Sequence, residues 1–261
     1  MMIKNFLEYS PKLGITFSTY NKLKKFTQKQ YKDTTVNFLG KSFTFSNPFW
    51  FLHSLEEIFV DEVYLFEPSD KEVKILDCGA NVGLSVVYLK KLFPNSTIIA
   101  FEPDKKVFAQ LEQNIKNFDF KKVELVNSAT WINDEKLNFA AEGSVGGRIS
   151  DDQQEIKNEV NAVRLRNYLQ NEKIFFLKID IEGAEYEVLK DCKDVLKNVE
   201  NLFIEFHNRN HEDNTLDEIL KWAREAGFIT YVKEAWNNMP HPFTKKDIGG
   251  YHLQLNIFCY R

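Results

Sequence analysis

One stretch in the first third of the chain constrains its fold more than any other. Residues 73–76 form a short, mostly apolar run that predicts a buried strand, and the run ends on Asp77. A turn containing Gly79 and Gly83 follows, and residues 84–93 then place apolar side chains at helical spacing. Glycines in such a turn let the backbone approach a ligand closely. A strand, a glycine turn and a helix N-terminus in this order predict the nucleotide-binding crevice of a doubly wound α/β sheet.

The residues of the turn narrow the choice of ligand. From Asp77 to Gly83 the pattern is Asp-x-Gly-x-Asn-x-Gly, which lacks the middle glycine of the dinucleotide pattern Gly-x-Gly-x-x-Gly. A carboxylate before the turn suits an ammonium or sulfonium group better than a diphosphate, because opposite charges attract. A second strand over residues 97–101 ends on Glu102, where an acid accepts hydrogen bonds from a ribose diol. Together these signals favour S-adenosylmethionine, with NAD second and an ordinary α/β core with a capped helix as the alternative.

Length and composition bound the class of protein. The 261 residues, 43% of them hydrophobic, suffice for one large domain with a decorated end. The net charge of −4 gives no general attraction to nucleic acid, so we expect no nucleic-acid partner. The 3 cysteines lack metal-ligand spacing and are odd in number, which favours a reduced, cytoplasmic protein. The apolar runs are too short to span a bilayer, so we predict no transmembrane segment and no signal peptide.

The N-terminal part differs from the rest, and we predict a cap over residues 1–68 that docks on a main domain over 69–261. Between Tyr20 and Lys41 a series of lysines faces a single acid, Asp33. These lysines form either a contact for an anionic lipid head group, a lipid-linked substrate or a partner, or simply a solvated helix face. Residues 36–45 predict a hairpin turning at Gly40, and a helix follows from Pro48 to before Glu67.

From Val73 onward, strands and helices alternate, which is typical of a parallel sheet with right-handed crossovers. Residues 131–165 interrupt this rhythm with short strand-like pieces around a small-residue loop at 142–148, where Arg148 either clamps an acidic substrate group or lies in an exposed turn. The last segments, 228–232 and 253–260, predict an antiparallel pair. Their connection, 236–250, is long for a hairpin, and we interpret it as a substrate loop.

Four predicted strands end in an acid: Asp77, Glu102, Asp180 and Glu205. Ligands of an open parallel sheet bind at the carboxyl ends of its strands, and carboxylates are costly to bury there unpaired. Glu182 lies two residues beyond Asp180, and His207 shares one strand face with Glu205 because side chains alternate with period two. The sequence therefore predicts one shared polar site.

Methyl transfer to an alcohol needs an in-line approach and a base. His207 or Asp180 is a candidate base. Alternatively, Asp180, Glu205 and His207 hold a divalent cation that lowers the pKa of the acceptor hydroxyl. Alternatively, His207 has no catalytic role and is simply a histidine at a strand end whose hydrogen bonds are made by neighbouring groups. Lys178 either faces away from these groups or pairs with one of them.

Four segments resemble the FkbM family of S-adenosylmethionine-dependent methyltransferases in order and spacing, over roughly residues 70–210. They are Asp77-Cys-Gly-Ala-Asn-Val-Gly83, Phe101-Glu-Pro-Asp104, Leu177-Lys-Ile-Asp-Ile-Glu-Gly-Ala-Glu185 and Ile204-Glu-Phe-His207. The resemblance implies a class I methyltransferase (Rossmann-like) fold, with a mostly parallel seven-stranded sheet and helices on both faces. It also implies O-methylation, commonly of sugars, glycans or secondary-metabolite hydroxyls.

The resemblance also assigns residues. Those implied to bind S-adenosylmethionine are Asp77, Gly79, Ala80, Asn81, Gly83, Glu102, Pro103 and Ser128. Those implied to line the methyl-transfer site are Asp180, Glu182, Glu205 and His207. The family usually has Leu-Asp-Asp before the Lys-x-Asp strand, whereas this chain has Leu165-Arg166-Asn167.

We therefore expect an S-adenosylmethionine-dependent O-methyltransferase acting on a hydroxyl of a sugar, a glycan or a glycan precursor. An NAD-dependent oxidoreductase and a catalytically silent binding module with the same fold are the rivals. The cap and the 236–250 connection fall outside the resemblance, and we expect them to choose the acceptor.

Overall fold

The N-terminal part folds as a cap of helices and one hairpin. It is seen in a computed structural model that describes residues 10–140, 148–149, 157–209, 215–244 and 251–261. Its elements are α1 (Phe17–Leu23), β1 (Thr34–Phe38), β2 (Lys41–Phe45) and α2 (Pro48–Leu55). Strands β1 and β2 pair antiparallel around Gly40, which confirms the predicted hairpin.

Helix α2 continues directly into one π-helical turn, Glu56–Val60. The helix expected to reach residue 66 therefore ends early. The reason lies in the backbone, because Glu62 takes the left-handed conformation at φ 55° and cannot continue a right-handed helix.

The rest of the chain alternates strands and helices as predicted. The strands are β3 (Lys74–Cys78), β4 (Thr97–Phe101), β5 (Val123–Val126), β6 (Ala129–Trp131), β7 (Glu135–Ala140), β8 (Arg148–Ile149), β9 (Lys157–Arg164), β10 (Ile174–Ile179), β11 (Val199–Arg209), β12 (Ile229–Glu234) and β13 (Tyr251–Tyr260). The helices are α3 (Leu84–Leu92), α4 (Lys105–Phe118), α5 (Arg166–Leu169), α6 (Glu185–Cys192) and α7 (Leu216–Glu225).

Seven strands form one sheet in the order β12-β13-β11-β10-β3-β4-β5. Strands β5, β4, β3, β10 and β11 are parallel, and β13 runs antiparallel to both β11 and β12. The expected fold class, a mostly parallel seven-stranded sheet, is confirmed. The chain leaves β3 toward β4 and later returns to β10 on the other side, so the strand order reverses between β3 and β10. A reversal of this kind opens a crevice at the carboxyl edge of the sheet.

The irregular region between β5 and β10 forms a second, four-stranded sheet in the order β6-β9-β7-β8. The short strands expected there are present, whereas their assembly into a separate sheet was not predicted. The small-residue loop before Arg148 and the side chain of Arg148 lie outside the described residues.

The two faces of the main sheet carry separate apolar cores. The cap packs with α3 and α4 on one face, and α5, α6 and α7 cover the other. Phe38 of the hairpin is fully buried and touches the rings of Phe43, Phe59 and Phe118 edge-on. The cap thus shares its core with the main sheet, although the predicted boundary at residue 68 stays a prediction. Within the described residues, the helices lack the length and apolar character needed to cross a membrane.

Candidate active site

The glycine turn after β3 is clamped between two strand ends. The N–H groups of Gly79 and Ala80 donate to the carbonyl oxygen of Phe101 at 3.1 and 2.9 Å, which ties the turn to the end of β4. On the other side, a Cβ atom built on Gly79 would lie 1.8 Å from the carbonyl oxygen of Asp180. Gly79 also has φ +85°. Both observations require glycine at this position.

The turn continues into α3 through Asn81 and Gly83. Asn81 takes a positive φ of 48°, and its N–H donates to Glu102 Oε2 at 3.1 Å. A Cβ on Gly83 would lie 2.7 Å from the side chain of Leu111 on α4. The predicted cofactor residues of the turn therefore lie together between the ends of β3 and β4 and the start of α3.

Glu102 lies where β4 ends, as the sequence predicted. Its two carboxylate oxygens accept the N–H groups of Asn81, at 3.1 Å, and Asp104, at 2.8 Å. Burial raises the pKa of Glu102 to about 8. An ionised carboxylate offers about four acceptor positions, so acceptor capacity for a diol is left over. Pro103 follows directly in the chain, and Ser128 is buried beyond the neighbouring strand β5.

Lys178 connects two of the predicted acids. Its Nζ lies 3.3 Å from Asp77 Oδ1 and 3.1 Å from Asp180 Oδ2, and it donates to the carbonyl oxygen of Gly79 at 2.9 Å. Burial alone would lower the pKa of Lys178, but Asp180 and Asp77 raise it. Of the two alternatives for Lys178, pairing is the one observed.

The two acids beside Lys178 differ in their access to the crevice. Asp77 has 0% exposed surface, and its Oδ2 accepts the hydroxyl of Ser85 at 2.5 Å. Its carboxylate thus lies behind the turn, where it holds Lys178. Asp180 is only half-buried and follows directly on β10. Burial raises the pKa of Asp180 to about 8, although Lys178 opposes the shift.

His207 is held by an acid that the sequence analysis did not assign. Its Nδ1 lies 3.1 Å from Glu185 Oε1, and both side chains are buried. The same Glu185 oxygen accepts the N–H groups of Ile181 and Gly183, at 3.0 and 3.1 Å. One carboxylate at the start of α6 therefore fixes the loop after β10 and the histidine ring together. Burial alone would lower the pKa of His207, but Glu182, Glu185 and Glu205 raise it well above its ordinary value.

The second ring nitrogen of His207 faces Glu205 and Glu182. Nε2 lies 3.2 Å from Gln254 Nε2, 3.5 Å from Glu205 Oε1 and 3.8 Å from Glu182 Oε2. Gln254 donates to Glu205 at 2.8 Å, and the Tyr251 hydroxyl donates to Glu182 at 2.7 Å. Glu205 does not end its strand as predicted, because β11 continues to Arg209 by pairing with β13. The face shared by Glu205 and His207 is as predicted.

These side chains form a row across adjacent strands, which we call the polar row. Asp77 and Lys178 are register partners on β3 and β10, Glu205 is the partner of Asn256 on β13, and His207 that of Gln254. The row lies on the sheet face that carries the cap. Three of the four predicted strand-end acids, Asp77, Asp180 and Glu205, thus lie along this row next to the glycine turn. The fourth, Glu102, instead contacts the turn from the end of β4.

The cap supplies further site residues that sequence reasoning missed. Asn256 Nδ2 donates to Glu57 Oε1 at 3.2 Å, which brings the π-helical turn against the polar row. The ring of Trp236, from the connection after β12, lies 5.9 Å from that of Trp50 and 5.0 Å from that of His53. Trp50, His53 and Glu57 recur at helical spacing, and this pattern was a usable signal.

Burial and the charge of Glu205 shift the pKa values of two cap residues, Glu57 and His53. Burial, followed by the charge of Glu205, raises the pKa of Glu57 to about 7. Burial lowers the pKa of His53, and Glu205 opposes that shift. A carboxyl group with a pKa near 7 is suited to accept a proton at neutral pH.

The strand order, the crevice and the glycine turn together define a class I methyltransferase fold. The fold resembles the solved structure of M. jannaschii TYW2 in complex with AdoMet, with a TM-score of 0.51 at 12% sequence identity, covering 89% of this chain and 87% of that chain. Residues 77–230 match the Methyltransferase FkbM domain, and the chain belongs to this family.

Two relatives of this chain are also named as methyltransferases. The chain is 27% identical over 169 residues to "Methyltransferase 1" of Beauveria bassiana, which covers 55% of this chain and 67% of that protein. It is 30% identical over 172 residues to "Methyltransferase sdnD" of Sordaria araneosa, which covers 52% of this chain and 66% of that protein. The match thus spans about two thirds of each relative.

Proposed function

We propose that the chain is an S-adenosylmethionine-dependent O-methyltransferase that acts on a hydroxyl group of a sugar, a glycan or a glycan precursor. The observation that carries this proposal is the polar row, which adjoins the glycine turn on one side and the cap on the other. A methyl donor in the crevice and an acceptor under the cap would then meet at the carboxylates of the row.

The crevice fits the proposed cofactor. Gly79 lets the turn pack directly against the backbone of Asp180, and Glu102 keeps acceptor capacity for a ribose diol. When bound, S-adenosylmethionine supplies a methyl group on a positively charged sulfur, which the nearby carboxylates would favour. The residues proposed to hold it are Asp77, Gly79, Ala80, Asn81, Gly83, Glu102, Pro103 and Ser128, with Asp77 acting through Lys178 and Ser85.

The acceptor side suits a sugar. Half-buried carboxylates at Asp180, Glu205 and Glu57 can accept hydrogen bonds from neighbouring hydroxyl groups. The rings of Trp50 and Trp236 offer apolar faces to the C–H groups of a sugar ring. The hydroxyl that reacts must lose its proton, and Glu57 or Asp180 is the proposed acceptor of that proton. In this arrangement His207 and Glu182 do not take the proton but hold the neighbouring carboxylate of Glu205 in place.

The first test is calorimetric titration of the purified chain with S-adenosylhomocysteine, beside NAD. We expect binding of the homocysteine compound and none of NAD. Glu102→Gln should weaken this binding by about tenfold or more, because a hydrogen bond to a charged group contributes about 1.5–3 kcal/mol. Binding of NAD alone would overturn the cofactor assignment.

The pH dependence of this binding is a sharper test of Glu102. Since burial raises the pKa of Glu102 to about 8, the free protein carries a proton there at lower pH. Accepting a diol requires the ionised form, so affinity should fall by up to about tenfold per pH unit below 8. Glu102→Gln should remove that dependence, and a variant that keeps it would exclude Glu102 as the ribose acid.

Turnover separates the enzyme from a silent binding module. A panel of methyl glycosides incubated with methyl-labelled S-adenosylmethionine should show transfer to at least one sugar hydroxyl. Asp180→Asn should abolish the transfer while binding of S-adenosylhomocysteine persists. Tight binding without transfer to hydroxyl compounds would favour the silent module.

A further inference from the structure

We propose that Asp180, Glu205 and His207 form a binding site for a divalent transition-metal ion with mixed oxygen and nitrogen ligands. The role of the ion, holding the acceptor hydroxyl, rests on the proposed function. Binding of the ion does not, because it depends only on these side chains.

The geometry of the three side chains is close to that of a metal site. One ligand atom from each, a carboxylate oxygen or an imidazole nitrogen, lies within 4.8 Å of the other two. Ligands at about 2.1 Å from one ion lie at most about 4.2 Å apart. Adjacent ligands lie closer, about 3.0–3.4 Å apart, so a pair at the 4.8 Å limit must close by roughly 0.6–1.8 Å to bind one ion. Asp180 is half-buried at the end of β10, and such a position has room for this adjustment.

The histidine is oriented as metal-bound histidines are. Its Nδ1 contacts Glu185 at 3.1 Å, so Nε2 points to Glu205 and the site. Glu185 is itself fixed by the N–H groups of Ile181 and Gly183. A carboxylate that holds the far nitrogen of a histidine fixes its tautomer and raises its basicity as a ligand.

A second observation points to a ligand at this place. Asn256, only 3% exposed, is the cross-strand partner of Glu205, and its Oδ1 is buried without a hydrogen-bond partner. Buried polar atoms are rarely left unpaired, since the desolvation cost is then unrecovered. Side chains of cross-strand partners project to the same face, so this orphaned oxygen lies on the side where Glu205 offers its carboxylate.

The charges around the row favour a cation. Lys178 is shared between Asp77 and Asp180. Glu205 lies near Glu182 and Glu57, and His207 contacts Glu205 and Glu182. A divalent ion would balance Asp180 and Glu205. The imidazole ligand favours Zn²⁺ over Ca²⁺ or Mg²⁺, and Mn²⁺, which the two carboxylates suit, is a weaker-binding probe of the same site.

The ion would also settle which group takes the proton. A hydroxyl bound to a divalent ion is more acidic, and its proton can then pass to a neighbouring carboxylate. With Asp180 engaged as a ligand, Glu57 on the cap is the proposed acceptor of this proton. The hydroxyl oxygen keeps the electron pair of the broken O–H bond.

The test is titration of the chelator-treated full chain with Mn²⁺, followed by calorimetry and electron paramagnetic resonance, with and without S-adenosylhomocysteine. We expect one Mn²⁺ per chain, displaced by Zn²⁺. Glu205→Gln and His207→Gln should each reduce affinity by more than tenfold, and Glu185→Gln by about 10–100-fold, as for other residues that orient a ligand.

The matched control is Glu102→Gln, which should weaken S-adenosylhomocysteine and leave Mn²⁺ affinity unchanged. The Glu205→Gln variant should show the reverse. Circular dichroism checks folding, and Glu205→Gln decides the matter if the buried His207→Gln variant does not fold. Absence of stoichiometric Mn²⁺, or affinity that Glu205→Gln does not change, would overturn the site. Because S-adenosylhomocysteine is titrated into the same samples, failure of the cofactor assignment would be seen separately.

Discussion

At the scale of single residues, Gly79 links the two halves of the candidate site. The position that its Cβ would take is occupied by the backbone of Asp180, at 1.8 Å. The glycine turn and the strand that carries Asp180 are thus packed backbone against backbone. A side chain here would push apart the groups proposed to bind the cofactor and the acceptor.

Gly79→Ala should therefore destabilise the protein strongly. The matched control is Gly40→Ala in the hairpin turn, where φ is +81° but no heavy atom lies within 4 Å of the added Cβ. Left-handed backbone alone costs roughly 1–2 kcal/mol, so Gly40→Ala should lose about that much and Gly79→Ala clearly more. Urea unfolding of both variants measures the difference. Equal losses would show that the contact with Asp180 relaxes without cost.

Individual site residues were predictable when they lie at or near the carboxyl end of a predicted strand. Asp180, Glu205 and His207 come together because the carboxyl ends of parallel strands share an edge, and sequence shows where those strands lie. Whether Lys178 pairs with an acid was left open, because the alternation of side chains along a strand shows which sheet face Lys178 lies on but not which residue it contacts. Glu57 and His53 were missed because their helical spacing with Trp50 shows only that they share a helix face. Which part of the molecule that face meets depends on how the cap docks, a tertiary contact.

At the scale of elements, α2 and its π-helical turn position the cap side of the site. The N-cap residue is Asn47, which is only 3% exposed. Its Oδ1 accepts the N–H groups of Phe49 and Trp50, at 3.0 and 3.1 Å, and its Nδ2 donates to the carbonyl oxygen of Gln28. One amide thus starts the helix and ties it to the preceding loop.

Asn47→Ala should cost about 1–2 kcal/mol, at the upper end of N-cap substitutions, because it also removes the partly buried hydrogen bond to the carbonyl oxygen of Gln28. The control is Thr16→Ala at the start of α1, an exposed cap with one backbone bond from Thr19 at 3.2 Å. That change should cost about 0.5–1 kcal/mol. Denaturant unfolding compares them, and a smaller loss at Asn47 than at Thr16 would contradict this account.

Element types were more predictable than element ends. The strand before the turn and helix α3 follow from apolar spacing, and both are present. The ends of α2 and β11 were wrong for different physical reasons. Positive φ at Glu62 stops the first, and pairing with β13 extends the second. Long-range pairing of this kind leaves little trace in the local pattern.

At the scale of the whole molecule, the cap and the sheet are parts of one core. Buried residues of α1, the hairpin, α2, α3 and α4 belong to a single apolar cluster. Phe38 lies within it at 0% exposure, between rings from the cap and Phe118 of α4. A cap built this way has no separate interior.

We therefore expect cap and sheet to unfold in one transition. Phe38→Ala should lower the free energy of unfolding by about 3–5 kcal/mol, as for other buried phenylalanines. Phe243→Ala, at a ring that is 102% exposed, is the matched control and should change it by less than about 0.5 kcal/mol. Tryptophan fluorescence and circular dichroism should give coincident curves in both variants. Separate transitions would identify the cap as an independent domain.

The place of Glu57, His53, Trp50 and Trp236 in the chain has a practical consequence. All four lie outside residues 77–230, the span that matches the family domain. Glu57 contacts Asn256 beside the polar row, and the rings of Trp50, His53 and Trp236 pack against one another. If the proposed function holds, the acceptor is selected by two short segments that flank the methyltransferase domain in the sequence. A library varied only at those segments would explore new acceptors while every residue of the glycine turn stays as it is.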